Sequence, residues 1–138
     1  METKELWQFP VPRTGGYIGK MQFIHKKTDL FLLFDYFNER EEWFNTGIKF
    51  ESTYAYANAS EMFTSCLLSL ADYILLINFT LVEYLDSEWL KELSEKNSEA
   101  TQALKLRHFA IDIEDHGLFE IIAAGYRIFE TKNGPLQK

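Results

Sequence analysis

Cysteine, proline and cationic side chains are scarce in this chain, and each scarcity removes a class of protein. The one cysteine, Cys66, excludes an internal disulfide and a cysteine-based zinc site. It sits in the apolar run Cys66-Leu67-Leu68, where a free thiol behaves as a small buried hydrophobe. Three prolines and seven glycines, with no period to either, exclude collagen-like and low-complexity architectures. Lys and Arg number 14 against 21 Asp and Glu, a net charge of -7. That charge repels phosphate backbones and anionic lipid surfaces, so neither nucleic acid nor membrane is an expected partner.

Long apolar runs are also lacking. The longest, Cys66 to Leu85, is interrupted by Asp72, Asn78 and Glu83, whereas a spanning helix needs about 20 predominantly apolar residues. The opening METKELWQF is charged and has no apolar signal core, and with no disulfide the expected location is cytoplasmic. Gly15-Gly16 and Gly19 give G-G-x-x-G, but a strand pattern follows rather than a helix, and no Lys-Ser/Thr pair closes a phosphate loop. These glycines read as bends.

What is present is apolar and aromatic: 46% of the 138 residues are apolar and 16% are Phe, Trp or Tyr. A chain of this length buries roughly two thirds of its unfolded surface, enough for a single domain with a core. Pro10 and Pro12 make Phe9 to Arg13 extended, and Thr14-Gly15-Gly16 a turn. Tyr17, Met21 and Phe23 alternate with Lys20 and Gln22, the period-2 pattern of a half-buried strand, with a bulge or close approach at Gly19. His25 shares the parity of Phe23 and is expected to be partly buried. After the polar Lys26 to Asp29, Leu30 to Phe34 is apolar on both faces, which predicts a hairpin over 17–37 with a central second strand. Asn38 to Glu42 is a solvated turn.

Ile48, Phe50, Tyr54 and Tyr56 alternate with Lys49, Glu51 and Thr53 as one strand. Ser60 then caps a helix whose buried face is Phe63, Cys66, Leu67, Leu70, Ala71 and Ile74, lying across one sheet face. Leu75 to Val82 is open between strand and continuing helix. Asp86-Ser87 caps a short helix, Glu88 to Lys96, that hides Trp89, Leu90 and Leu93. Phe109, Ile111 and Ile113 alternate with His108, Ala110 and Asp112, the chain turns at Glu114 to Gly117, and a second strand, bent near Gly125, runs from Leu118 to Phe129. The expected fold is α+β: one antiparallel sheet of about five or six strands with two or three helices.

Chemistry is thinly marked. His108, Asp112, Glu114 and His116 share one strand face, where residues two apart stand roughly 7 Å from each other, within reach of an ion or an arginine. The plainer reading is the solvated outer face of an antiparallel sheet, and a third is a partner-binding patch. A Cys66–histidine nucleophile needs a partly exposed, activating setting that the apolar run does not offer. Glu39, Glu41 and Glu42 lie in a turn, with nothing nearby to shift them toward acid–base work. Tyr54 and Tyr56 share a face with Phe50; core is the first reading, a protein interface the second. No cofactor and no metal is expected, and Asp112, Glu114, Asp115, His116, Tyr54 and Tyr56 are the candidate partner-binding residues.

Over Ser60–Ser65 (SEMFTS), Leu81–Leu93 (LVEYLDSEWLKEL) and Leu106–Glu130 (LRHFAIDIEDHGLFEIIAAGYRIFE), the chain resembles small acidic bacterial immunity proteins, cytosolic antidotes encoded beside polymorphic secreted toxins. The resemblance implies a non-enzyme that occludes a toxin, often a basic nuclease, with complementary charge speeding the encounter. It assigns no site residues. Two other functions fit the composition: a small-ligand-binding or enzymatic domain with an apolar pocket, and a subunit that pairs with a second copy through an uncovered sheet face.

Overall fold

The computed structural model describes residues 3–8, 18–37, 40, 43–59, 80–96, 99, 105–113 and 117–131. They form nine strands and one helix. These are β1 (Thr3–Gln8), β2 (Ile18–Lys26), β3 (Asp29–Phe37), β4 (Trp43–Glu51), β5 (Ala55–Ala59), β6 (Thr80–Tyr84), α1 (Glu88–Lys96), β7 (Arg107–Ile113), β8 (Gly117–Ala123) and β9 (Gly125–Thr131). The expectation of one sheet of five or six strands with two or three helices is overturned. There are two antiparallel sheets, of five and four strands, and a single helix among the described residues. The expected helix from Ser60 to Ile74, the Phe9–Gly16 segment, the Glu114–His116 turn and the open stretch 75–79 lie outside the described residues.

The chain divides into two compact units, Met1–Phe9 with Thr53–Ala124, and Pro10–Ser52 with Gly125–Lys138. The second unit carries the sheet β2-β3-β4-β9. Its register sets Leu30 opposite Phe50 and Leu32 opposite Ile48. Directly paired residues share a face, so Leu30, Leu32, Phe34, Ile48 and Phe50 form one buried layer while Phe31 and Leu33 are half-buried. Each such buried side chain contributes roughly 1.5–3 kcal/mol. The expected hairpin is present, with β3 central, and a register shift between Ile18 and Met21 supplies the bulge expected at Gly19. His25, expected to be partly buried, is exposed.

The first unit carries the sheet β1-β6-β7-β8-β5 and α1. Residues 80–82, left open between strand and helix, belong to strand β6. β7 lies third of five, and Phe109, Ala110 and Ile111 are all buried, so both of its faces are covered. β8 repeats this with Leu118, Phe119, Ile121 and Ile122.

Two apparent strands in the sequence are each divided in the fold. The alternation from Ile48 to Tyr56 breaks at Ser52, whose φ of 52° is left-handed, and it separates β4 of one sheet from β5 of the other. Asp29 holds this break by accepting the Ser52 N–H at 3.2 Å. The run Leu118 to Phe129 likewise breaks at Ala124, not at Gly125, into β8 and β9 of different sheets. Period-2 patterning reports which way side chains point and carries no mark of a change of sheet.

Candidate functional site

Antiparallel pairing builds one polar constellation inside the five-stranded sheet. Tyr84 stands opposite His108, which stands opposite Ile122; two rows along, Val82, Ala110 and Glu120 are aligned. These residues share a face, and on it Val82, Tyr84, Ala110 and Leu118 form an apolar cluster around the histidine. His108 is 3% exposed. The expectation of a solvated polar face at His108 is therefore corrected: both faces of β7 are covered, and the imidazole lies within that cover.

An imidazole buried this deeply needs partners for both nitrogens. Ser87 Oγ lies 2.6 Å from His108 Nδ1, and Glu120 Oε1 lies 3.1 Å from Nε2. The Ser87 hydroxyl also accepts the Leu90 backbone N–H at 3.0 Å, and its carbonyl accepts the Lys91 N–H at 3.1 Å, so Ser87 is the N-cap of α1, as the Asp86-Ser87 pair predicts. In the neutral imidazole whose proton faces Glu120, the Ser87 hydroxyl is the donor to Nδ1. In that tautomer Nε2–H donates to the Glu120 carboxylate, and both ring nitrogens are satisfied. Tyr84 and Trp89 meet the ring edge-on, with centroids 4.7 and 5.3 Å away. Helix α1 is thereby fixed to the sheet at its first turn.

Hydroxyl, imidazole and carboxylate stand here in the order used for nucleophilic acyl transfer. Ser87 is 5% exposed, and its hydroxyl serves as a cap. It nonetheless borders an open groove of about 450 Å³ lined by Leu85, Asp86, Ser87, Leu90, Lys91, Ser94 and Glu95. Lys91 Nζ reaches Asp86 at 2.8 Å and Glu88 at 3.5 Å. The hydrogen bond from Lys91, reinforced by its charge, holds the Asp86 carboxyl below the usual carboxylate range, and the same bond raises Lys91 above the usual lysine range. On the neighbouring strand pair, Arg107 grips Glu83 through two N–H groups at 2.9 and 2.7 Å, and its guanidinium lies 4.9 Å from the Phe109 ring centroid.

The residues proposed from sequence are only partly united. Tyr56 is 46% exposed on β5, opposite Ile121. Tyr54 is half-buried, its backbone N–H donating to the Ile122 carbonyl at 2.8 Å. Asp112 stands opposite Leu118, which is opposite Ala59, three rows along the sheet from Tyr56, or about 10 Å at the usual strand rise. Glu114, Asp115 and His116 lie outside the described residues. Among the described residues no group of three or more His, Cys, Asp or Glu could hold a metal ion, and no helix is long and apolar enough to cross a membrane.

Nothing in the linear spacing of Ser87, His108 and Glu120 marks them as partners. Ser87 carried a cap signal and His108 a strand parity, but the link to Glu120 exists only in the register of the β7–β8 hairpin. The register of that pairing sets residue 108 opposite 122, and 120 on the diagonal. That was the one available clue.

Comparisons with protein-family models, with curated proteins and with solved structures return no match for this chain.

Proposed function

We propose that this chain is a non-enzymatic, cytoplasmic protein-binding domain of the immunity type, which neutralises a cognate bacterial toxin by binding it. The observation that carries the reading is Tyr56, a tyrosine nearly half exposed on a strand whose backbone is paired, in a chain of net charge -7. A ring presented from fixed backbone loses little conformational freedom when a partner covers it, and it offers apolar area together with a hydroxyl. A negative surface draws a basic partner in and raises the association rate. Tyr54 and the acidic segment Asp112, Glu114, Asp115 with His116 are further contacts in this reading, Asp112 standing an odd number of rows from Tyr56 and therefore belonging to a contact separate from the tyrosine. The test is co-expression with the product of the adjacent gene. Growth rescue and co-purification are expected, with Tyr56→Ala weakening binding by about tenfold or more, an interface-anchor effect, at unchanged stability. A neighbouring product that is toxic, yet neither bound nor neutralised, overturns the proposal.

The Ser87–His108–Glu120 chain beside a groove favours a second reading, a small-ligand-binding or enzymatic domain. A fluorophosphonate probe attached to Ser87, and lost in His108→Gln, would select it. A folded protein that takes up no label removes it.

A further inference from the structure

Helix α1 carries Trp89, Leu90 and Leu93, which its sequence pattern expects to hide, yet no residue of α1 is buried. Leu85, in the turn before it, is 53% exposed. Ser87 is linked by three- and four-residue steps to Leu90 and Lys91, and these in turn to Ser94 and Glu95, so the five form a single stripe along the helix. That stripe and the preceding turn are the lining of the groove. Its apolar lining is Leu85 and Leu90 and its charged lining Asp86, Lys91 and Glu95, while Glu88, Glu92 and Lys96 are exposed elsewhere on the helix. Lys91 is itself held by Asp86 and Glu88. The lining thus sets two carboxylates, Asp86 and Glu95, against one ammonium beside apolar surface, and Glu95 is the carboxylate that Lys91 does not hold.

We infer that this groove is a docking site for a basic segment of the protein partner, one that places a leucine-like side chain between lysines or arginines. The inference rests on the partner-binding reading and adds a contact apart from Tyr56, whose row, Ile121 and Phe109, has the parity opposite to His108, the residue that α1 meets. The apolar side chain covers Leu85 and Leu90, which water now wets, and the flanking cations meet Glu95 and share Asp86 with Lys91. Leucine burial supplies affinity, and the rim charges supply rate and discrimination. The Ser87–His108–Glu120 chain has a positioning role, because it fixes the first turn of α1 and so one end of the groove wall.

Fluorescence anisotropy with three labelled synthetic peptides tests the site: a helical lysine–leucine peptide, the same peptide with serine for leucine, and the same peptide with glutamate for lysine. The full-length chain is expected to bind the first, with affinity falling as salt rises, and to bind the other two at least about tenfold more weakly. Leu85→Asp and Glu95→Lys, both at exposed positions, are each expected to weaken the first peptide about five- to tenfold. No binding, equal binding of the serine peptide, or equal binding by both variants overturns the inference. A toxin that binds wild type and Leu85→Asp alike, yet fails on Tyr56→Ala, removes the groove and leaves the partner-binding reading standing. Peptide binding that Leu85→Asp abolishes, with no response to the neighbouring gene product, does the reverse.

Discussion

Ser87 Oγ stands 2.6 Å from His108 Nδ1 while accepting the Leu90 N–H at 3.0 Å, so one hydroxyl both begins a helix and satisfies a buried imidazole. Removing it withdraws two hydrogen bonds together. Ser87→Ala is expected to cost roughly 1–3 kcal/mol, combining a lost cap with a buried nitrogen left unpaired. His108→Ala should cost more, roughly 2–5 kcal/mol, since it adds a cavity. Urea unfolding followed by circular dichroism measures both, and a Ser87→Ala loss below about 0.5 kcal/mol, the range of an ordinary surface substitution, would dismiss the clamp.

Gly47 on β4 pairs with Leu33 on one side and Phe129 on the other. A Cβ there would stand 2.6 Å from Phe129 Cζ, 2.7 Å from Leu33 Cδ2 and 2.9 Å from the Leu32 carbonyl oxygen. Side chains can yield, but the carbonyl belongs to a paired strand. Gly47→Ala is therefore expected to destabilise by about 1–3 kcal/mol despite alanine's lower unfolded-state entropy. Adding Phe129→Ala should recover part of that loss in a thermal melt and not all of it.

Ser52 holds a φ of 52° at the break between β4 and β5. A β-branched residue resists that conformation and glycine adopts it freely. Ser52→Val is expected to destabilise by about 1–2 kcal/mol, whereas Ser52→Gly should stay within about 0.5 kcal/mol of wild type. Equal behaviour of the two in chemical denaturation would contradict the left-handed assignment.

The exposed Asp86–Lys91 pair sets a pH window. Asp86 titrates lower in the folded chain than in the unfolded one, so its contribution is complete above the ordinary carboxylate range and is lost as pH falls through the depressed value. Lys91 is raised, so its share is complete below the ordinary lysine range and disappears as pH climbs through the raised value. Carboxyl NMR titration should show Asp86 below the usual aspartate range, returning to it in Lys91→Met and at high salt.

Local pattern made several elements legible. The hairpin of β2 and β3, the bulge by Gly19 and the bounds and cap of α1 follow from alternation, glycine placement and an Asp-Ser pair. Three features were not legible, each for a physical reason. Alternation runs unbroken through Ser52, because a change of sheet alters pairing and leaves parity intact. His108 has the parity of a solvated face but sits on a strand third of five, and strand order is a long-range property. Trp89, Leu90 and Leu93 have helical spacing, yet spacing cannot say how much surface awaits them. Tyr56 shares its parity with Phe50 and so reads first as core, yet it is 46% exposed, which pattern alone does not disclose.

The breaks at Ser52 and Ala124 also bear on the order of assembly. β2, β3 and β4 are consecutive and can zip together as a meander, but β9 joins them only when Thr46 and Phe129, 83 residues apart, come within hydrogen-bond reach. The chain between those two positions includes β5, β6, α1, β7 and β8, so the outermost pairing of the four-stranded sheet closes a loop containing most of the five-stranded one. High contact order of this kind places folding in the milliseconds-to-seconds regime of β-rich domains, about three or more decades slower than helical bundles. The β4–β9 ladder should be the last to gain amide protection when refolding is followed by pulsed hydrogen exchange.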